Sequence, residues 1–313
     1  MIEIRRYTPA QAQEWNDFVA SCCNATFLHQ RGYMDYHSDR FTDHSLMAYS
    51  DGRLVAVLPA NAAGTVIYSH QGLTYGGWLH PARHFDATVM MEVMQSAMAW
   101  LSGEGFTQWV YKPVPHIYHR YPAEEDLYAL FRAGAELTEV NISTSVRLAE
   151  PLAFDRGNKR GVNAAMRAGV QVAESDDWEG YWRVLEQVLA ERHATRPVHT
   201  VEEIKLLHSR FPESIKLYTA VHDGQVVAGV VMFFTHTVAH SQYIASSAEG
   251  RSVNALALLF RRLIDGANDA GYAYFDFGIS NEDHGRWLNE GLVRQKSRLG
   301  GRGIVYSTYR ITL

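Results

Sequence analysis

The sequence predicts a mixed α/β fold built as two tandem units with a cleft between them. Three observations carry that expectation. Leu46-Met-Ala-Tyr-Ser-Asp-Gly-Arg-Leu-Val-Ala-Val-Leu and Leu217-Tyr-Thr-Ala-Val-His-Asp-Gly-Gln-Val-Val-Ala-Gly-Val each set an Asp-Gly pair between two apolar runs. That is the short-range signal of a β-hairpin with a tight turn. Each copy then continues in the same order. A strand ends in a histidine-bearing stretch (Tyr68-Ser-His-Gln-Gly; His240-Ser-Gln-Tyr-Ile), a helix follows, and a further strand is entered from a glycine (Gly105-Phe-Thr-Gln-Trp-Val-Tyr; Gly271-Tyr-Ala-Tyr-Phe-Asp-Phe). Finally, 313 residues suffice for two domains that each bury a core. Clefts between domains are common ligand sites.

The first unit is expected over residues 1–150. Met1-Ile-Glu-Ile-Arg-Arg-Tyr alternates as an opening strand. Thr8-Pro-Ala-Gln supplies an N-cap and a proline at the first helical position, and the helix turns Trp15, Phe18 and Val19 inward. Strands at 46–49 and 54–60 make the hairpin. A helix at 84–103, a strand at 106–111, a helix at 123–132 closed by Gly134 and a strand at 137–148 complete the unit. The second unit, 151–313, repeats the order. A basic helix covers 156–167 and stops at Gly169, helices follow at 178–192 and 201–208, and the hairpin spans 216–234. A strand at 239–246, a helix at 252–270 and a strand at 272–277 come next. The closing run Gly303-Ile-Val-Tyr-Ser-Thr-Tyr-Arg-Ile-Thr-Leu313 alternates β-branched and aromatic residues and predicts a terminal strand.

Composition narrows the function classes. Hydrophobic residues at 47% and charged residues at 20% describe a globular chain, not a disordered one. The longest apolar stretch, 226–234, is far shorter than the roughly 20 residues of a membrane span, so none is expected. The N-terminus lacks the apolar core of a signal peptide, which predicts a cytoplasmic protein. Cys22 and Cys23 are adjacent, too tight for an ordinary disulfide or a CxxC metal site. A net charge of -5 argues against DNA as a partner and leaves room only for a local basic patch. No Cys/His/carboxylate set has zinc-site spacing, so no metal is expected. Phe275-Asp-Phe-Gly lacks the companion motifs of a kinase, and no GxSxG elbow is present.

Several residues stand out on chemical grounds. Arg156, Lys159, Arg160, Asn163 and Arg167 recur at three- and four-residue steps, which puts them on one helix face. Such a face can grip a diphosphate, or it can be a solvated basic stripe. His70, Thr74 and Tyr75 sit among glycines in a stretch that reads either as a binding loop or as a turned corner. Asp276 ends an apolar strand, where a carboxylate can be held for a functional purpose.

A hairpin, a strand ending in a polar loop, a helix starting at that loop and a further strand is the order of the GNAT acyltransferases. Two such units resemble the Fem-type (FemAB-like) tandem acyl- and aminoacyltransferases. The likeness rests on Phe27-Leu-His-Gln, Tyr68-Ser-His-Gln-Gly-Leu-Thr-Tyr-Gly-Gly, Lys159-Arg160 through Arg167-Ala-Gly-Val, His240-Ser-Gln-Tyr-Ile-Ala and Phe275-Asp-Phe-Gly-Ile-Ser-Asn-Glu. It rests also on Gly291-Leu-Val-Arg-Gln-Lys-Ser-Arg-Leu-Gly300, similar to the family's G-L-x-x-F-K-x-x-F-G, with Gln295 where phenylalanine is usual.

The resemblance implies transfer of an acyl or aminoacyl group to an amine of a cell-envelope or polysaccharide precursor, nucleotide-linked precursors included. Acyl-CoA is the expected donor over aminoacyl-tRNA, because the long coiled-coil arm of some Fem proteins is missing. Lys296 is the implied positive charge near the transferred carbonyl, with His240 or Asp276 handling the proton. His70, Thr74, Tyr75 and Tyr243 are the expected substrate contacts, and Arg156, Lys159 and Arg160 the phosphate grip. Arg251, Ser252 and Asn254 fall where GNAT enzymes place the CoA pyrophosphate loop, although the usual glycine is missing and Ser252 also reads as a helix cap. The last strand, 304–313, can return to the first domain. A second class stays open on that weak loop: a non-catalytic GNAT-fold module that binds a sugar nucleotide or an envelope peptide.

Overall fold

A computed structural model describes residues 1–193 and 196–313. They sort into two units: 1–141 with 283–287 and 305–313, and 142–282 with 288–304. The chain passes from one to the other inside two strands and in the 283–288 segment.

The first unit opens with β1 (Ile2–Arg6), whose Ile2 and Ile4 point into the core by the two-residue period of a strand. Thr8 and Gln11 form a capping box around the turn Pro9–Gln11, which leads into α1 (Ala12–Ser21). Trp15 and Val19 are buried there and Phe18 is half-buried. After α2 (Arg31–Met34) and β2 (Thr42–Asp43), the first hairpin forms from β3 (Leu46–Ser50) and β4 (Arg53–Leu58). Its turn holds Asp51 at φ 50° and Gly52 at φ 76°, the positive pair that a type I′ turn requires. β5 (Asn61–Ala63), β6 (Val66–Tyr68), α3 (Ala87–Gly103), β7 (Gln108–Tyr111), α4 (Glu125–Arg132) and the start of β8 (Glu136–Arg147) follow. The helix α3 starts three residues later than the sequence reading, because Asp86 accepts from the N–H groups of Thr88 and Val89 and so caps it. The core gathers Leu46, Leu58, Trp78, Met90, Val93, Leu101 and Trp109.

In the second unit come α5 (Arg156–Arg167), β9 (Gln171–Glu174), α6 (Trp178–His193), α7 (Val201–Arg210), β10 (Ile215–His222), β11 (Gln225–Phe234) and β12 (Val238–Ser246). The β10–β11 turn repeats the first hairpin, with Asp223 at φ 47° and Gly224 at φ 76°. Next are α8 (Ala248–Ser252), α9 (Ala255–Asp269), β13 (Tyr274–Ile279), β14 (Asn281–Glu282), β15 (Trp287–Leu288), α10 (Glu290–Arg298) and β16 (Arg302–Thr312). The single helix expected at 252–270 is therefore two. Ser252 ends the short α8, where its hydroxyl donates to the Glu249 carbonyl, so it does not cap the long helix. Asn254, at φ 58°, makes the break and occupies the N-cap position of α9.

Within the second unit the strands run β8-β13-β12-β11-β10-β9, and in the first β2-β5-β6-β7-β16 beside a separate β1-β3-β4 sheet. The terminal strand pairs antiparallel with β7, from Tyr309↔Tyr111 to Thr312↔Gln108. On one face of the second sheet Phe260, Phe275 and Phe277 pack edge to face with centroids 5.1–6.2 Å apart. Burying each ring contributes about 1.5–3 kcal/mol. That packing anchors β13 against α9 and fixes which side chains its opposite face presents.

Candidate active site

The strands β12 and β13 are parallel and pair over only three residues, Val238↔Tyr274, Ala239↔Phe275 and His240↔Asp276. Beyond that point β12 runs on to Ser246 and β13 to Ile279 without further pairing, so the two strands part at His240 and Asp276. Just past the fork β12 bulges: Ser241 faces Met232 while Tyr243 faces Val231, leaving Gln242 as the extra residue.

Asp276 faces away from the phenylalanine layer, at 0% exposure. A buried carboxylate needs partners, and it has them. Its Oδ2 accepts from His240 Nδ1 at 2.7 Å and from the Gly278 N–H at 3.2 Å. Its Oδ1 accepts from the Ser143 hydroxyl at 2.7 Å and from the Ser145 hydroxyl. Burial alone would push this carboxyl up. The hydrogen bond and charge of His240, with the two serine hydroxyls, outweigh it and hold the group below the usual carboxylate range. The carboxylate in turn fixes the His240 tautomer with its proton on Nδ1 and its lone pair on Nε2.

Lys296 reaches the same place from α10. Asn289 caps that helix by accepting from the Leu292 N–H, and Lys296 is its buried residue, 5% exposed. Its ammonium donates to the carbonyls of Gly278 at 2.8 Å and Ile279 at 2.7 Å, the residues that follow Asp276 on β13. Burial lowers it to about 8, with the Asp276 charge resisting. The structure thus brings Lys296, His240 and Asp276 together at the fork.

The predicted phosphate and CoA residues lie on α5, on α8 and in the turn before α9. Arg156, Lys159 and Arg160 are exposed on α5, without a hydrogen bond or ion pair of their side chains among the described residues. A different face of α5, that of Gly161 and Ala165, packs on the start of α9. A Cβ on Gly161 would stand 3.2 Å from Asn254 Oδ1 and 3.4 Å from Ala257 Cβ. Arg251 donates to the Ser246 carbonyl at 2.7 Å, and Asn254 makes no side-chain cap bond to α9. Tyr243 bonds through its hydroxyl to His199 Nδ1 at 2.6 Å.

His70, Thr74 and Tyr75 belong to the first unit. His70 has φ 59° and accepts from the Gly72 N–H, and burial, with His37 next, pushes it down to about 3, so the imidazole is neutral. Tyr75 is buried with its ring 4.5 Å from that of Tyr118 and 5.8 Å from that of His29. Thr74 is exposed. Cys22 and Cys23 are free thiols, both buried. One exposed ion-pair cluster, invisible as a spacing, joins His222 to Glu249 at 2.7 Å and to Asp223 at 3.8 Å.

Sequence reasoning missed the serines that hold Asp276. The signal was present: Ser143 and Ser145 are two apart in a predicted strand and so share a face. Only the β8–β13 register, Asp276↔Ser145, shows which carboxylate they meet.

Residues 155–286 match the family model for the acetyltransferase (GNAT) domain. The second unit therefore carries a GNAT domain, for which N-acyl transfer is the activity class. No curated protein matches the chain in sequence. Among solved structures it is similar to FemX, at 14% identity and TM-score 0.69 over 99% of this chain and 97% of the other. It is similar to the C-terminal domain of a putative lysylphosphatidylglycerol synthetase from Agrobacterium fabrum, at 12% identity and TM-score 0.63 over 96% and 91%. A tandem GNAT protein from the clavulanic acid biosynthesis pathway aligns at 13% identity and TM-score 0.53 over 100% and 98%. These likenesses are of fold, and they extend the tandem GNAT architecture over the whole chain. Among the described residues no helix is long and apolar enough to cross a membrane.

Proposed function

We propose that the chain is an N-acyltransferase that works at the β12–β13 fork, taking its acyl group from acyl-CoA and giving it to an amine of a cell-envelope or polysaccharide precursor. The meeting of Lys296, His240 and Asp276 at that fork is the observation that carries the reading. Transfer forms an amide C–N bond, breaks the thioester C–S bond, and moves a proton from the amine to the leaving sulfur. His240 has the geometry of the base, since its lone pair is on Nε2 and the imidazolium it would become faces a buried carboxylate. Lys296 uses two of its three N–H donors on main-chain carbonyls and keeps the third for charge that develops on the carbonyl oxygen or the sulfur.

Support for CoA comes from the start of α9. There the left-handed backbone of Asn254 does the work of the missing glycine, and its side chain leaves the first N–H groups uncapped. Uncapped N–H groups at a helix start hold phosphate well, and α5 packs against this one through Gly161. Arg251, Ser252 and Asn254 are the proposed CoA segment, and Arg156, Lys159 and Arg160 the proposed diphosphate grip. Tyr243 is proposed as an acceptor contact in the second unit, and His70, Thr74 and Tyr75 as substrate contacts of the first unit taken by itself. Aminoacyl-tRNA is the alternative donor. The alternative function, a binding module without turnover, draws on Arg251 and Ser252 spending their side chains inside their own turn.

Incubation with a panel of acyl-CoAs and envelope precursors, read by mass spectrometry, tests the reading. A mass gain of one acyl group on an acceptor, lost in Lys296→Ala, is expected. Saturable binding with no mass gain on any acceptor would leave the passive module.

A further inference from the structure

The first unit contains a parallel strand pair of its own, β6 with β7, joined over Val66↔Gln108, Ile67↔Trp109 and Tyr68↔Val110. It corresponds to the three-residue pairing of β12 with β13. Two residues after Val110 stands Lys112, as Gly278 stands two residues after Asp276. Each unit thus sets one lysine ammonium at the end of the second strand of its parallel pair. The contrast lies in what that ammonium touches. Lys296 donates to two carbonyls. Lys112 is partly buried, and its ammonium has no hydrogen bond or ion pair among the described residues.

The backbone of Lys112 is fixed from both sides. Its N–H donates to Ser69 Oγ at 2.6 Å, and its carbonyl accepts from the Gly76 N–H at 2.9 Å. Its backbone is therefore held between Ser69 and Gly76, the two ends of the loop that contains His70 and Tyr75. Tyr75 lies against Tyr118, whose hydroxyl is 2.9 Å from that of Tyr306. Of the charged groups, Glu139 is the carboxylate that Lys112 feels. Glu139 gives its oxygens to Asn141 Nδ2 at 2.7 Å and to His284 Nδ1 at 3.0 Å. His70 is within electrostatic reach of Lys112 and is neutral. Burial pulls the Lys112 ammonium down.

A half-buried cation without a contact partner is a place where a ligand can supply the missing charge. We propose that Lys112 anchors an anion site in the first unit, at the end of the β6–β7 pair, that takes the carboxylate of a bound amino acid or peptide. The charge balance selects a carboxylate over a phosphate: a single cation, with the Glu139 carboxylate already within electrostatic reach, cannot balance a dianion. The site uses first-unit residues only and stands whether or not the second unit transfers acyl groups.

The test is limited acetylation of the full chain with acetic anhydride, read lysine by lysine by mass spectrometry, with exposed Lys205 as the internal control. N-acetylglycine, inorganic phosphate and chloride are added at constant ionic strength. A bound carboxylate that raises the ammonium by about one pKa unit cuts its reactive free-amine fraction about tenfold. The expected result is a loss of that size at Lys112 in N-acetylglycine, with Lys205 unchanged. Equal rates at Lys112 with and without N-acetylglycine, or slowing by phosphate alone, would overturn the proposal. A second readout uses Lys112→Gln, which removes the lone charge and is expected to keep or raise the melting temperature. The native chain should melt higher in N-acetylglycine and the variant should not. An equal rise in both would contradict the assignment.

Discussion

Replacing Asp276 by asparagine separates the charge of this residue from its shape. The carboxylate now accepts from Ser143 and Ser145 on one oxygen and from His240 and the Gly278 N–H on the other. The Gly278 N–H can only donate, whereas serine hydroxyls can turn and accept. The amide oxygen of Asp276→Asn therefore faces His240 and Gly278, its NH₂ faces the serines, and the fold survives. What is lost is the charge opposite the imidazolium. Its value lies between about 1.5 kcal/mol, the gap between a charge-assisted and a neutral hydrogen bond, and about 4 kcal/mol, the attraction of unit charges 4 Å apart at an effective dielectric constant of about 20. At 1.36 kcal/mol per tenfold, kcat should fall about 10- to 1000-fold. The assay is thiol release from acyl-CoA in the presence of the acceptor found by mass spectrometry, with circular dichroism to confirm the fold. Stability gives a second check. A carboxyl held low in the folded state adds stability that is fully present above its unfolded value and lost as pH falls through the folded one. The wild type should thus be more stable than the variant near neutrality, and the gap should close below about pH 4. Full transfer activity in a folded Asp276→Asn chain would refute the reasoning.

Three further outcomes follow from single features. Because Lys296 must be cationic and titrates at about 8, transfer should decline as pH rises through that value, measured as kcat against pH. The sign for folding is opposite: between about 8 and the ordinary lysine range the unfolded chain binds more protons, so stability contributed by this group rises with pH. Gly229→Ala would put a Cβ 2.3 Å from Cδ2 of the buried Tyr181, costing about 1–3 kcal/mol, seen as a lower melting temperature. Deleting residues 304–313 takes from β7 its antiparallel partner and removes buried Ile311 and the Tyr306 hydroxyl that meets Tyr118. An insoluble chain is expected, and a soluble truncation that melts as the full chain does would contradict it.

How much of this was legible beforehand depends on distance along the chain. The two Asp-Gly hairpins were readable because a tight turn is a local event, fixed by residues that tolerate positive φ. The basic helix Arg156–Arg167 was bounded correctly because its period and its stop at Gly169 are equally local. The α8–α9 break was missed, since an asparagine in the left-handed region leaves little trace in a run that otherwise reads as helix. Lys296 entered through a motif, and His240 and Asp276 through their places on strands. Their meeting is a matter of register between segments tens of residues apart, as are the serines from β8 that hold Asp276. Lys112 drew no notice for the same reason. A lysine after an apolar strand looks like a solvated end until the loop packed over it is known.

The acyl donor is proposed to enter where β12 and β13 part, and a crystal structure with a non-hydrolysable acyl-CoA analogue is the sharpest check. Density is expected for the pantetheine arm between the two strands past His240 and Asp276, for the diphosphate at Asn254 and the start of α9, and for the acyl carbonyl within about 3.5 Å of Lys296 Nζ. An analogue bound away from the fork, with Lys296 still engaged only by the carbonyls of Gly278 and Ile279, would contradict it.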